Sequence, residues 1–224
     1  MKNNESPKKQ RKERQRKIRR DHIISVAEQA FIDNGFDDAK VDQIAHDAGY
    51  TKATIYNYFE SKDDLYAAVL GKTYQRMHET LETYLNQSES SYEIQTMGEA
   101  YLSFVNRFPR QSEFIDSGRC VTINRAIIEK EAEGRPLTES EIEFRDNETR
   151  LGMLMVDVIT QSMRETNLEE SEAVKIVKSL AALNPAIRGV VRRGKAFGQS
   201  DEEIRETLAV LFKIIELGVK HYDG

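Results

Sequence analysis

The sequence predicts an all-α chain, and three observations carry that reading. Apolar residues recur at three- and four-residue spacing along most of the chain. No segment alternates apolar and polar residues convincingly over the length of a strand. Only four prolines interrupt 224 residues, and 32% of them are charged, a mix that suits long, solvated helices. The 39% hydrophobic content is enough for a packed core.

The first helix is expected from about Arg16. Ile23, Ala27, Ala30 and Phe31 fall at i, i+4, i+7 and i+8 on one stripe. Asn34-Gly35 ends it, since glycine adopts the left-handed stop without penalty. Val41, Ile44, Ala45 and Ala48 form a second, shorter stripe, closed by Gly49. Thr51 is placed to cap a third helix by accepting a backbone N–H, with Ile55 and Phe59 along one side. The cap of the next helix is Ser61, with Leu65 and Val69 facing inward. From there the pattern is helical throughout, over about 62–88, 92–108, 113–133, 138–166, 171–196 and 201–222. The breaks fall at Pro109, Gly134-Arg135-Pro136, Asn167 and Gly198-Gln199-Ser200. Pro185 is expected to kink or interrupt its helix. Asp201 caps the last one, with Glu202 and Glu203 at its positive end.

Charge is distributed unevenly. The chain carries −5, yet residues 1–20 hold ten Lys/Arg against two acids. That segment is +8 and the remainder −13. A basic arm on an acidic body suits contact with a polyanion at one end; a solubilising tail is the alternative. No run of eighteen apolar residues predicts a membrane span. No apolar stretch follows the basic start, so a secretory signal is not expected. Cys120, the single cysteine, has no internal disulfide partner and reads as a buried thiol, and the expected compartment is the cytoplasm. No Gly-rich phosphate loop, HExxH or nucleophile motif is present, and the four histidines are scattered, so neither enzyme, cofactor nor metal site is expected.

Residues 40–59 combine a short helix, a tight turn and a second short helix. Ala45 and Ala48 are small enough to let the helices cross closely, and Gly49 fits where a Cβ would clash. Ile44, Ile55 and Phe59 fill the angle between them. Such a corner is a helix-turn-helix, whose second helix enters a major groove N-terminus first. Thr51, Lys52, Thr54, Tyr56 and Asn57 supply donors, a cation and an amide off the Ile55/Phe59 stripe. No carboxylate lies between 51 and 59, as a surface facing phosphates requires; an exposed helix with ordinary polar decoration is the alternative.

Ala30–Phe36, Val41–Ala45, Ala48–Phe59 and Ser61–Leu65 together resemble the DNA-binding domain of the TetR family of transcriptional regulators. The resemblance implies a flexible basic arm over 1–16, a helix-turn-helix domain over 17–77, and a helical-bundle ligand and dimerisation domain over 78–224. It implies DNA contacts from Thr51, Lys52, Ala53, Thr54 and Tyr56, further contacts from Asn57 and Tyr58, and a phosphate held by Lys62. The family pattern has a Thr-Thr or Thr-Ser pair before the second helix. Here Ala39 and Lys40 stand there, so the cap is expected from Asp38 and the phosphate contact from Lys40. The arm is expected to add phosphate contacts, with minor-groove entry as an alternative.

The resemblance also implies a homodimer and a small-molecule effector pocket. Tyr101, Phe104, Phe108, Phe114, Phe144, Met153 and Met155 are the candidate lining, although ordinary core explains each of them as well. Ile176, Leu180, Leu183, Ile187, Leu208, Leu211, Phe212, Ile215 and Val219 are the candidate dimer seam, with ordinary core within the chain as the alternative for much of each stripe. The function implied is a repressor that binds a palindromic operator as a dimer and is released by its effector. The alternative is a DNA binder of the same fold without an effector, working through protein partners; activation is a third outcome.

Overall fold

The computed structural model describes residues 7–87, 94–162 and 184–220, which form ten helices and no strand. They are α1 (Pro7–Asp38), α2 (Val41–Asp47), α3 (Lys52–Tyr56), α4 (Lys62–Gln87), α5 (Ile94–Arg107), α6 (Pro109–Ile115), α7 (Gly118–Ala132), α8 (Glu139–Ser162), α9 (Asn184–Ala196) and α10 (Asp201–Lys220). Two compact units divide them. The first holds α1 to α3, α4 as far as Lys72, α7, and α8 as far as Arg145. The second holds the rest of α4 and α8 with α5, α6, α9 and α10.

In the first unit α1 starts at Pro7, well before Arg16, so the basic segment is helical from that residue on. Proline suits a first helical turn because its missing N–H would have no partner there. The helix breaks where the sequence placed its end, at Gly35, whose φ of 74° is open to glycine and costly for other residues. Ile23, Ala27, Ile44, Ile55, Phe59 and Leu65 are all but sealed from solvent. Phe31, Phe36 and Tyr66 close a triangle of rings 5.1–5.9 Å apart. α4 crosses α8 closely at Gly71, where an added Cβ would stand 3.2 Å from the backbone nitrogen of Phe144. Cys120 on α7 is buried and in no disulfide.

The predicted helix over 113–133 is two helices. Pro109 opens α6 at a first-turn position, and Asp116-Ser117 separates it from α7. Ser117 is extended (φ −68°, ψ 145°), and its hydroxyl meets the Tyr66 hydroxyl at 2.9 Å in place of capping α7. The second unit packs α5 against α10, with Phe212 lying over Gly98. α9 approaches α10 at Gly194, beneath Ile204. Residues 171–183 of the predicted helix 171–196 lie outside the described residues, and the described part opens with Asn184-Pro185. Among the described residues no helix is long and apolar enough to cross a membrane.

Candidate nucleic-acid interface

The corner between α2 and α3 is built as its sequence required. Ile44, Ile55 and Phe59 are at most 1% exposed, so the two short helices are locked together through apolar packing. Gly49 takes φ 73° in the turn. His22 of α1 supports that turn, its Nε2 lying 3.2 Å from the Ala48 carbonyl and its ring edge-on to Tyr50. Thr51 caps α3, its hydroxyl accepting from the Thr54 N–H at 3.2 Å and lying 2.9 Å from the Thr54 hydroxyl. This arrangement leaves Thr51, Lys52, Ala53, Tyr56 and Asn57 exposed on one small projecting surface, with Thr54 half-buried beneath. Tyr56 is 44% exposed despite its size.

Two features of this surface were not visible in the sequence. Lys52 donates to Asp42 of α2 at 2.8 Å, and that hydrogen bond raises the ammonium above the ordinary lysine range. Lys62 donates to the Asp37 carbonyl at 3.1 Å and sits 4.4 Å over the Phe36 ring, so it also fastens the end of α1 to α4. Tyr58 is half-buried, with the Arg16 guanidinium 5.7 Å from its ring centre. The α2 cap is not Asp38. Lys40 occupies the cap position without a side-chain bond, and Ala39 is buried, where a polar pair would lose its hydration. Lys40 itself is exposed.

Behind the corner lies a clamp that sequence reasoning missed. Arg20 is 4% exposed; it donates to the Ser140 hydroxyl at 3.1 Å, pairs with Glu143 at 2.7 Å, and stacks 5.4 Å from the Phe59 ring centre. Arg16 donates to Glu139 at 2.9 Å. Asp64, also buried, accepts from the Glu60 N–H at 2.8 Å and from the Thr138 hydroxyl at 2.6 Å. The start of α8 thereby grips α1 and α4. Glu141 and Glu143 of this segment are both paired, Glu143 with Arg20 and Glu141 with Lys130 at 2.6 Å.

Residues 23–69 match the family described as "Bacterial regulatory proteins, tetR family". These residues are similar to a TetR-type DNA-binding domain. The chain is 42% identical over 52 residues to the transcriptional activator FasR of Mycolicibacterium smegmatis, covering 23% of this chain and 24% of FasR. It is 27% identical over 89 residues to the transcriptional repressor NemR of Escherichia coli, covering 40% of this chain and 44% of NemR. The match thus spans less than half the length of these curated relatives. Similarity of fold extends further. The solved structure of the regulator FadR from Bacillus subtilis, in complex with stearoyl-CoA, covers 89% of this chain and 97% of its own at TM-score 0.53 and 14% identity. The TetR-type domain therefore sits in a chain whose fold as a whole is that of such regulators.

The candidate ligand residues divide between the units. Tyr101, Phe104 and Phe108 stack in sequence in the second unit, with centroids 6.3 and 5.6 Å apart, and Arg76 lies over Phe108. Phe114 is buried there too, and Met155 is half-buried. Phe144 belongs to the first unit, behind Gly71, and Met153 is 61% exposed. Near Tyr101 lies a charged group the sequence did not single out. Arg188 pairs with Asp116 at 3.0 Å. Burial pushes the Asp116 carboxyl up, against the opposing charges of Arg188 and Arg192, and burial likewise pushes up the Tyr101 hydroxyl.

Of the candidate dimer residues, Ile176, Leu180 and Leu183 lie outside the described residues. Ile187 and Val219 belong to α9 and α10, without described side chains. Leu208 and Phe212 are spent on packing within the chain, with Leu211 and Ile215 half-buried beside them. Among its described side chains, the large apolar residues that α10 leaves open are Val210, Ile214 and Leu217, at i, i+4 and i+7, with Phe197 just before the helix at 83% exposure.

Proposed function

We propose that this protein is a transcriptional regulator that binds a palindromic operator as a homodimer and is released by a small-molecule effector. The observation that carries the reading is the exposed tip of α3, with Thr51, Lys52, Tyr56 and Asn57 presented on a rigid apolar corner. One such helix reads only a few base pairs, and useful specificity needs two at a fixed spacing. The open stripe Val210, Ile214 and Leu217 with Phe197 offers the surface for self-association, on the face of α10 opposite its packed residues. A ligand in the second unit is supported by the aromatic row Tyr101, Phe104 and Phe108 beside the Arg188–Asp116 pair, and by the acyl-CoA in the FadR structure.

The test is to enrich palindromes from a pool of random duplexes and then compare variants on them. Thr51→Ala or Asn57→Ala should change preference at particular positions if those side chains reach base edges, each contact being worth about 1–3 kcal/mol. Lys62→Met should weaken binding evenly across sequences. Uniform losses for all three would demote α3 to a backbone contact, and failure to enrich any palindrome would sink the reading. Transcription from the enriched site in vitro then separates repression from activation. Adding acyl-CoA asks whether the effector belongs to that class.

A further inference from the structure

The first three turns of α1 carry an unpartnered charge. Between Pro7 and Arg19, the cations Lys8, Arg11, Lys12, Arg14, Lys17 and Arg19 are exposed and make no ion pair or hydrogen bond among the described residues. Elsewhere in the first unit cations are commonly matched, as in Lys52–Asp42, Lys130–Glu141 and Arg145–Glu131. The charge also has a direction. Lys8, Lys12, Gln15, Arg19 and His22 fall at i, i+4, i+7, i+11 and i+14, a single stripe along the helix, with Arg11 beside it. The stripe ends on His22, the residue that touches the turn immediately before α3. It therefore runs along the side of α1 on which the tip of α3 begins. Arg16 and Arg20 lie on a different side, committed to α8. Glu13, the one acid between residues 7 and 20, stands off the stripe.

We propose that this stripe, Lys8, Arg11, Lys12 and Arg19, is a second DNA-contact surface that lies across phosphates flanking the operator and stays out of the minor groove. The inference rests on the reading that the TetR-type domain binds duplex DNA. A helix is about 10–12 Å across with its side chains, whereas the minor groove of B-form DNA is about 6 Å wide. An extended arm fits that groove; this helix does not. From Pro7 to Arg19 the helix advances about 18 Å, a reach of roughly five base pairs. Phosphate contacts of this kind add affinity without sequence preference. An anionic membrane is a poorer partner, because Ile18 is the only large apolar residue on these turns and no apolar face exists to insert.

The experiment uses the full chain and an enriched palindrome, offered as a bare duplex and as one extended by roughly six base pairs on each side. Wild-type affinity should rise about tenfold or more with the flanks, whatever their sequence. The variant Lys8→Gln/Arg11→Gln/Lys12→Gln should lose most of that gain, bind the bare duplex as the wild type does, and show a salt dependence shallower by about 2–3 log units per log unit of salt per chain. Arg14→Gln/Lys17→Gln, off the stripe, should keep the gain. Netropsin on A·T flanks should leave it intact, and loss of the gain there would overturn the exclusion from the minor groove. Binding to the bare duplex without any gain from flanks overturns this inference alone. No binding to either duplex overturns the reading beneath it as well. Stripe-dependent binding to phosphatidylserine vesicles with no gain from flanks would assign the surface to a membrane and overturn the proposal.

Discussion

Arg20 shows how much of this site depends on a single side chain. Its guanidinium is almost sealed from water and is shared among Ser140, Glu143 and the Phe59 ring, so it sets the back of the wall on which α3 rests. Arg20→Met keeps the packing volume and removes the bonds. It should cost roughly 2 kcal/mol in urea unfolding, the scale of hydrogen bonds to a charged group. Arg20→Lys should not restore it, because an ammonium cannot present the planar fork that reaches two acceptors at once. Full stability in either variant would show the clamp to be ornamental. No local pattern hints at this role. Arg20 closes a run of ten basic residues, and what distinguishes it from Arg19 is a set of partners 120 residues away. Thr51 was legible for the opposite reason: its cap partner, Thr54, is three residues on, and local hydrogen bonding follows from spacing alone. Lys62 lies between these cases, its place at the start of α4 foreseeable and its bond to the Asp37 carbonyl not.

Among elements, the contact between α1 and α8 is the one whose strength should follow pH. The Arg16 guanidinium, donating to Glu139, holds that carboxyl below its ordinary value, with help from the charge of Arg20 and against partial burial. A carboxyl whose value falls on folding adds stability above its unfolded value and loses it as pH drops through the folded one. The difference in melting temperature between wild type and Glu139→Gln should therefore be present at neutral pH and shrink below pH of about 4.5. A difference that stays constant through that window would show that Glu139 acts through packing. The elements themselves were legible wherever one face was apolar and the ends were marked, as at Gly35 and between Val41 and Phe59. The split between α6 and α7 was not. Proline both ends helices and begins them, and here Pro109 does the second. Ser117-Gly118 is a turn dipeptide that the apolar spacing on either side masks, and extended Ser117 is held by Tyr66, a residue of α4 that no local pattern would summon.

For the whole molecule, the proposed homodimer requires that one face of α10 meet a second copy. The helix is apolar on two sides, and spacing alone cannot say which is inner. Packing settles the first: Ile204, Leu208 and Phe212 are at most 4% exposed, turned toward α5 and α9. The second, Val210, Ile214 and Leu217, stays between 46% and 63% exposed, a stripe that water would solvate poorly. Ile214→Asp places a charge at its centre without touching the packed side. Sedimentation should then show a monomer with unchanged helical content. Affinity for a full palindrome should fall to that for a half-site, because two tips held about 34 Å apart bind one face of a duplex together while a free one binds alone. A dimer that survives Ile214→Asp would move the seam elsewhere. A monomeric wild type that still prefers palindromes would mean that the duplex itself assembles the pair, and the two heads would then owe their spacing to DNA.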